Sequence, residues 1–201
     1  MTLFPSAFLP TVRYVSEWLR AENPVVYVGE KYQKQTCRNR TIILSSQGVL
    51  PLIIPVKSGS SSHVMIKNAA IVYNDRWQQR YWHSLVSSYQ NAPYFEHYVE
   101  ELEPLWFQKD LLLVEYNQLL MSWLFQRLGV SPPQIISHKP EKCLDSLTVT
   151  DFLIPAGNEL SYKQVFSYKL PFHSNLSILD LLMNKGPEAF YWLCPVKKNE
   201  I

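Results

Sequence analysis

The first thirty residues constrain the fold most, because strand and helix patterns alternate there within a short length. Thr2 to Phe4 is short and apolar, and Val25 to Val28 is a β-branched run. A helix is predicted between them from apolar residues at helical spacing, which are Val12, Tyr14, Val15, Trp18 and Leu19. Pro10 opens this helix and Pro24 ends it. Strands joined by a helix pair in parallel, and ligands usually bind at the carboxyl ends of such strands.

The rest of the chain adds a hairpin and several helices. Arg40 to Ser45 and Val49 to Val56 are apolar runs separated by Ser-Gln-Gly, which predicts the hairpin, and Lys57 to His63 is predicted to be a surface loop. Helices are predicted over about 75–90, 95–103, 108–128 and 177–184, with another begun by Pro187, and strands over 134–137 and 148–154. We therefore predict one α/β domain over 1–201, with a mixed, partly parallel sheet, an N-terminal strand–helix–strand unit, one hairpin and several packed helices.

Residue counts exclude several classes of protein. The chain has 201 residues and only six glycines, so spaced that no dinucleotide fingerprint, phosphate loop or nucleophile elbow is present. Its three cysteines and five histidines form no metal-ligand spacing, so we predict neither a metal nor another cofactor. The formal net charge is +2, and the isoelectric point of about 8.3 lies below the value of about 9 that marks a dedicated nucleic-acid binder.

The segment from Thr41 to Val56 is the longest without charge, and glycine and proline interrupt it. It is shorter than the roughly 20 residues that span a bilayer, so no membrane span is expected. The first residues lack the basic and apolar regions of a signal peptide, and the odd number of cysteines fits a reducing compartment. These features predict a cytoplasmic protein.

A basic loop follows the second predicted strand. We use this name for Lys31 to Arg40, which carries four cations and no acid, whereas the remaining residues together are net negative. Guanidinium and ammonium groups at a strand end suit a phosphate, pyrophosphate or carboxylate. The alternative is a solvated basic turn. Polar residues interleaved with the cations favour binding. The candidate anion-binding residues are Lys34, Gln35, Arg38, Asn39 and Arg40, with Cys37 as a candidate thiolate favoured by its arginine neighbours.

A second candidate is the polar stripe of the helix predicted near residues 75–90, which consists of Arg76, Arg80, His83 and Ser87. Arg80 is a candidate anion contact, and His83 is a candidate acid or base because a histidine titrates near neutral pH. The alternative for the stripe is an ordinary exposed helix face. Further along, Ser177 and Asp180 stand at capping-box spacing, which explains them structurally, and Asp180 is a weaker ligand candidate.

The run from Tyr32 to Arg40 resembles the WbqC-like protein family. The resemblance continues over nearly the whole chain, in the motifs Leu9–Thr11, Leu52–Val56, Trp82–Tyr89, Ala92–Glu96, Leu128–Val130, Tyr162–Gln164, Leu176–Leu182 and Gly186–Pro187. The resemblance adds His83, Tyr89 and Glu96 as signature positions. Two departures are the cysteine at Cys37, where an aromatic residue is expected, and Gly29–Lys31, where relatives often carry His-x-His.

The name of this bacterial family comes from a member in an O-antigen cluster, so the resemblance implies polysaccharide or sugar biosynthesis. The leading hypothesis is a transferase-type enzyme that binds an anionic, nucleotide-linked or phosphorylated sugar. A second hypothesis is a non-catalytic partner subunit that docks through aromatic residues such as Trp77 or Tyr94. The partner would be a biosynthetic enzyme or a second copy. RNA binding by the basic loop is the third.

Overall fold

The N-terminal strand–helix–strand unit forms as predicted. The computed structural model describes residues 1–57, 64–139, 152–157 and 160–193. In it β1 (Thr2–Pro5) and β2 (Pro24–Tyr27) pair in parallel, with Leu3 opposite Val25, and α1 (Val12–Arg20) connects them. A two-residue strand, Ile135–Ile136, pairs in parallel with the other edge of β2. We number it β5, after the two strands of the hairpin.

The predicted hairpin forms a sheet of its own. β3 (Arg40–Ser45) and β4 (Gly48–Ile53) are antiparallel, and Gly48 has the positive φ angle of +108° that their tight turn requires. The α/β class with parallel strands and one hairpin is therefore confirmed. The parallel strands and the hairpin lie in separate sheets instead of one mixed sheet.

Helices pack around the two sheets. They are α2 (Trp77–Tyr89), α3 (Phe95–Trp106), α4 (Leu113–Arg127), α5 (Ile178–Lys185) and α6 (Ala189–Leu193), with short 3-10 turns at Ile66–Asn68 and Gly186–Glu188. As its apolar residues on several faces predict, α4 is largely buried. The helices and both sheets share one hydrophobic core. No helix in the described part of the chain is both long enough and apolar enough to cross a membrane.

Two distant segments join where α1 begins. The Val12 N–H donates to the Leu176 carbonyl at 2.9 Å, and the Ile178 N–H donates to the Pro10 carbonyl at 2.8 Å. Thr11 caps α1 through its side chain, which accepts from Tyr14 N–H. The first helix is thus fixed by residues near the other end of the chain.

Several predicted elements differ or lie elsewhere. The helix predicted over 108–128 begins only at Leu113. The strand predicted over 148–154 falls mostly outside the described residues, and its described part, Phe152 to Ile154, is not a strand. Residues 58–63 of the predicted surface loop also lie outside the described ranges. α3 continues past Pro104 to Trp106, because α3 packs its buried face against the core over its whole length.

Candidate functional site

The carboxyl ends of the parallel strands bring three chain segments to one edge. β1 runs into Ser6, β2 into Gly29 and Glu30, and β5 into Ser137. The backbone is close-packed here, because a Cβ atom added at Gly29 would lie 2.2 Å from the Ser137 carbonyl oxygen. The basic loop leaves the sheet at this edge, as expected for a ligand site of a parallel sheet.

Arg38 belongs to the basic loop, but its side chain is buried inside the protein. Its side chain is 0% exposed and forms an ion pair with Glu30, whose carboxylate accepts from Arg38 Nε at 2.9 Å. Arg38 Nη1 lies 3.4 Å from the Thr36 hydroxyl, and the Arg38 carbonyl accepts from Asn117 at 2.7 Å. The charge of Arg38, a predicted anion contact, therefore already has a partner within the protein.

Asn39 and Arg40 keep unused polar atoms. Asn39 donates to the Ile54 carbonyl at 3.1 Å, but its buried Oδ1 accepts no hydrogen bond from any described residue. Arg40 Nε is buried without a hydrogen-bonding partner, and no acidic side chain pairs with Arg40 among the described residues. A half-buried guanidinium without a counterion favours the approach of an anion.

A cavity of about 230 Å³ lies beside the basic loop. Its walls are Tyr32, Val56, Lys57, Val64, Asn68, Ala69 and Ala70. Two backbone hydrogen bonds frame it, from Tyr32 N–H to the Val64 carbonyl at 2.8 Å and from Lys57 N–H to the Ala70 carbonyl at 2.9 Å. Burial raises the pKa of Tyr32 to about 12, so its hydroxyl keeps its proton at neutral pH. The loop residues Lys34 and Gln35 are exposed.

The walls of this cavity come from a stretch of sequence that contains no acid. From Lys31 to Asn74 the chain has no aspartate or glutamate. The cations in this stretch are Lys31, Lys34, Arg38, Arg40, Lys57 and Lys67. Since Glu30 compensates Arg38, the stretch that forms the cavity walls still carries excess positive charge of its own. Sequence reasoning restricted to the basic loop missed Lys57, although this longer acid-free stretch is a signal that identifies it.

Cys37 differs from the expectation of a favoured thiolate. The side chain is buried, and burial raises the pKa of the thiol to about 12 although Arg38 acts in the opposite direction. Desolvation therefore outweighs the neighbouring guanidinium, whose charge Glu30 compensates. Cys37 is a protonated thiol in the core at neutral pH.

The structure does not bring His83 and Arg80 to the basic loop. Both are exposed, and among the described residues no hydrogen bond, ion pair or ring contact joins either of them to the loop. Arg80 instead lies 3.4 Å from Asp75 and over the Tyr81 ring. The opposite face of α2 packs into the core through Trp77, Trp82 and Leu85, so His83 points away from the packed side of its helix.

Tyr89 and Asp180 meet in a buried polar cluster instead. The Asp180 carboxylate accepts from the Tyr162 hydroxyl at 2.6 Å and from Gln164 at 3.0 Å, and the Tyr89 hydroxyl lies close enough to influence its pKa. Tyr89 also accepts from the Leu44 N–H at 3.2 Å. Burial is the largest influence on Asp180 and raises its pKa. The expected capping box is absent, because this carboxylate turns to the cluster while Ser177 alone caps α5.

The aromatic side chains proposed for docking are not freely exposed to solvent. Trp77 is 1% exposed and contacts the rings of Trp106 and Tyr116, which corrects its expected role as an exposed anchor. Tyr94 is half-buried and covers Gly186. Among the described residues no group of three or more histidine, cysteine or acidic side chains is placed to hold a metal ion.

Comparisons with known proteins agree with the family resemblance for the motifs up to residue 145. The model of the WbqC-like protein family matches residues 6–145, which include the basic loop, the cavity and α2. A protein of Mycobacterium tuberculosis, described as uncharacterized protein Rv1507c, is 23% identical, with 94% of this chain and 95% of that protein covered. No solved structure matches the chain significantly. The chain therefore belongs to the WbqC-like protein family.

Proposed function

We propose that the protein binds an anionic substrate, a phosphorylated or nucleotide-linked sugar, in the cavity beside the basic loop, and transfers a group to or from it. The proposed setting is bacterial cell-surface polysaccharide or sugar biosynthesis. The supporting observation is a cavity of about 230 Å³ lined by a stretch of chain that carries excess positive charge and follows the carboxyl end of a parallel strand. A cytoplasmic location goes with this proposal, because the free Cys37 thiol suits a reducing compartment.

The residues around the cavity have different roles in the proposed binding. Lys57 lines the cavity and supplies an ammonium group, and Asn68 and Tyr32 supply hydrogen-bonding groups beside it. Lys34 and Arg40 add positive charge from the basic loop. Arg38 holds the loop in shape through Glu30 and Thr36. The role of His83 as acid or base stays a prediction, which needs a substrate that reaches the solvent face of α2.

Binding of pyrophosphate, uridine diphosphate and glucose 1-phosphate, measured by calorimetry, tests this proposal. Lys57→Ala removes the cation that lines the cavity. Lys67→Ala is the matched control, because Lys67 belongs to the same acid-free stretch, is exposed and does not line the cavity. A charge-assisted hydrogen bond contributes about 1.5 to 3 kcal/mol, so Lys57→Ala should weaken binding about 10- to 100-fold.

The two variants distinguish binding in the cavity from general electrostatic attraction to the positively charged surface. Lys67→Ala should change the dissociation constant less than about twofold at moderate salt, where distant charges are screened. Equal weakening of anion binding in both variants would mean that the anion binds diffusely, and this would overturn the proposed site. Absence of binding by all three probes would overturn the proposal and favour the partner-subunit hypothesis.

A further inference from the structure

A second cavity lies on the outer face of α1. Its volume is about 130 Å³. Its walls are Val12, Arg13, Ser16, Glu17, Arg20, Ala156, Leu160, Tyr162, Leu181 and Trp192. The residues that α1 turns to the sheet, such as Tyr14 and Trp18, are absent from these walls, so the cavity faces away from β1 and β2. It shares no lining residue with the cavity beside the basic loop.

A row of polar side chains forms one wall of this cavity. Arg13, Ser16, Glu17 and Arg20 follow the spacing of one helix face. Arg13 Nε pairs with Glu17 Oε1 at 2.6 Å, and Arg13 Nη1 donates to the Ile154 carbonyl at 3.1 Å. Ser16 and Arg20 both donate to the Leu193 carbonyl, at 2.7 and 3.4 Å. These contacts hold the row in one arrangement, which lowers the entropy cost of binding a ligand.

Two aromatic rings and aliphatic side chains form the other wall. The Tyr162 and Trp192 rings lie 5.9 Å apart, with an angle of 69° between their planes. The Tyr162 ring is fixed from behind, because its hydroxyl donates to buried Asp180. Lys185, which does not line the cavity, has its Nζ 4.5 Å from the centroid of the Trp192 ring. The aromatic wall therefore has a defined shape beside the polar row.

We propose that this cavity is a second binding site, for a small, neutral, ring-shaped polyol with the chemistry of one monosaccharide unit. The volume is close to that of a cavity of about 150 Å³ that holds benzene, so the cavity takes one six-membered ring, whose substituents extend toward its open side. The C–H face of such a ring packs on aromatic side chains, and its hydroxyls need donors and acceptors together. Arg20 supplies donors and Glu17 supplies acceptors.

Charge argues against the other small ligands of this size. A ring-shaped cation would meet the guanidinium groups of Arg13 and Arg20. A ring-shaped anion would meet the Glu17 carboxylate and guanidinium groups that already have partners, which are Glu17 for Arg13 and the Leu193 carbonyl for Arg20. A purely apolar ring would leave the polar row without hydrogen bonds to replace those to water. A neutral polyol satisfies both walls, and its binding does not depend on the anion site proposed above.

Titrations followed by the indole N–H signals in nitrogen-15 NMR test this site. The probes are methyl glucoside, methyl galactoside and N-acetylglucosamine, with benzoate and benzylamine as charged rings of similar size. We expect the sugars to shift the Trp192 indole signal and to bind more tightly than either charged ring. Trp192→Ala should weaken binding at least about tenfold, as measured by saturation-transfer NMR of the sugar protons.

Tyr191→Ala is the matched control, since Tyr191 neighbours Trp192 on α6 but is 70% exposed and does not line the cavity. It should leave sugar binding unchanged. Should Trp192→Ala fail to fold, Ala156→Trp fills the cavity from an exposed wall position and should abolish binding. Sugar binding that survives Ala156→Trp, tighter binding of benzoate or benzylamine, or no shift of the Trp192 signal would each overturn the proposal. Lys57→Ala should leave sugar binding unchanged, so failure of the anion site is distinguishable.

Discussion

At the scale of single residues, Arg38 and Glu30 determine the charge that the basic loop presents to solvent. Arg38 is fully buried and its guanidinium is neutralised by Glu30, which is 27% exposed. The outward charge of the loop therefore comes from Lys31 and Lys34, with half-buried Arg40 behind them. The buried pair shapes the loop, while the lysines remain available to a ligand.

Removal of one partner of this pair should destabilise the protein. Glu30→Ala leaves Arg38 buried without a counterion, which costs about 3 to 5 kcal/mol in buried pairs. Because Glu30 is partly exposed, we expect a loss near the lower end, about 3 kcal/mol, in the free energy of unfolding measured with urea. The double variant with Arg38→Met should be more stable than Glu30→Ala alone. A loss below about 0.5 kcal/mol would show that the pair behaves like an exposed one.

Cys37 should resist thiol reagents in the folded protein. Its burial and its pKa of about 12 leave almost no accessible thiolate at neutral pH. Peptide mapping after iodoacetamide treatment should find Cys37 unmodified in native protein and modified in denaturant. Rapid modification of this residue in native protein would contradict its buried position.

At the scale of elements, two helix ends depend on glycine for different reasons. Gly186 ends α5 with a φ angle of +56°, and a Cβ atom there would lie 2.4 Å from the Tyr94 ring. Gly129 follows α4 with a φ angle of +72°, but a Cβ atom there would meet nothing within 4 Å. Backbone strain applies at both positions, whereas a steric clash applies only at Gly186.

Alanine at these two glycines should therefore have unequal effects. Gly129→Ala should cost about 1 kcal/mol from the left-handed backbone alone. Gly186→Ala should cost at least about 2 kcal/mol, because Tyr94 must also move. Urea unfolding of both variants measures the difference, and equal losses of unfolding free energy would show that the Tyr94 ring moves aside at little cost.

The sequence predicted most of these elements but fewer of their contacts. Periodicity located α2 correctly, since Trp77 and Leu85 are buried while His83 is exposed. Local spacing also suggested that Asp180 belongs to a capping box, whereas its partners Tyr162 and Gln164 come from another segment. Local patterns reflect the geometry of one element, and they carry no information about which distant side chains will face it.

At the scale of the whole molecule, the Asp180 cluster ties three regions together. Tyr89 ends α2, Tyr162 and Gln164 precede α5, and Asp180 lies in the first turn of α5. Gln164 also bonds to the backbone of His173 in both directions, at 2.9 and 3.0 Å. One buried carboxyl group thus fixes a long irregular segment on the core.

This cluster should make stability depend on pH. Burial raises the pKa of Asp180 above its ordinary value of 3.8, so the folded state holds this proton more tightly than the unfolded chain does. The stability contributed by the proton is complete below that ordinary value and is lost as the pH rises through the folded-state pKa. Asp180→Asn cannot ionise, so the free energy of unfolding of the natural protein, relative to this variant, should fall over that range. Parallel pH profiles of the two proteins would contradict this.

Asp180→Ala supplies the complementary test of the cluster. It leaves the buried donors of Tyr162 and Gln164 without their acceptor, at about 1 to 3 kcal/mol each. It should therefore be less stable than Asp180→Asn at every pH, as urea unfolding would measure. Equal stability of the two variants would mean that water replaces the carboxylate.

The candidate site was predictable in part at this scale. The basic loop and its place at the carboxyl edge follow from the strand–helix–strand pattern and the cations of that segment. The partnership of Arg38 with Glu30 and the contribution of Lys57 depend on how separate segments pack. Whether a cation contacts a carboxylate or solvent depends on how distant segments pack, and the local sequence pattern does not predict it.

The bonds that fix the start of α1 have a consequence during synthesis on the ribosome. The Arg13 N–H donates to the Asn175 side chain, across a sequence separation of 162 residues. At roughly 5 to 20 residues per second, the ribosome needs about 8 to 32 seconds to supply that partner. The nascent N-terminal unit therefore stays incomplete until Asn175 has been synthesised, with its outer helix face uncovered and accessible to chaperones.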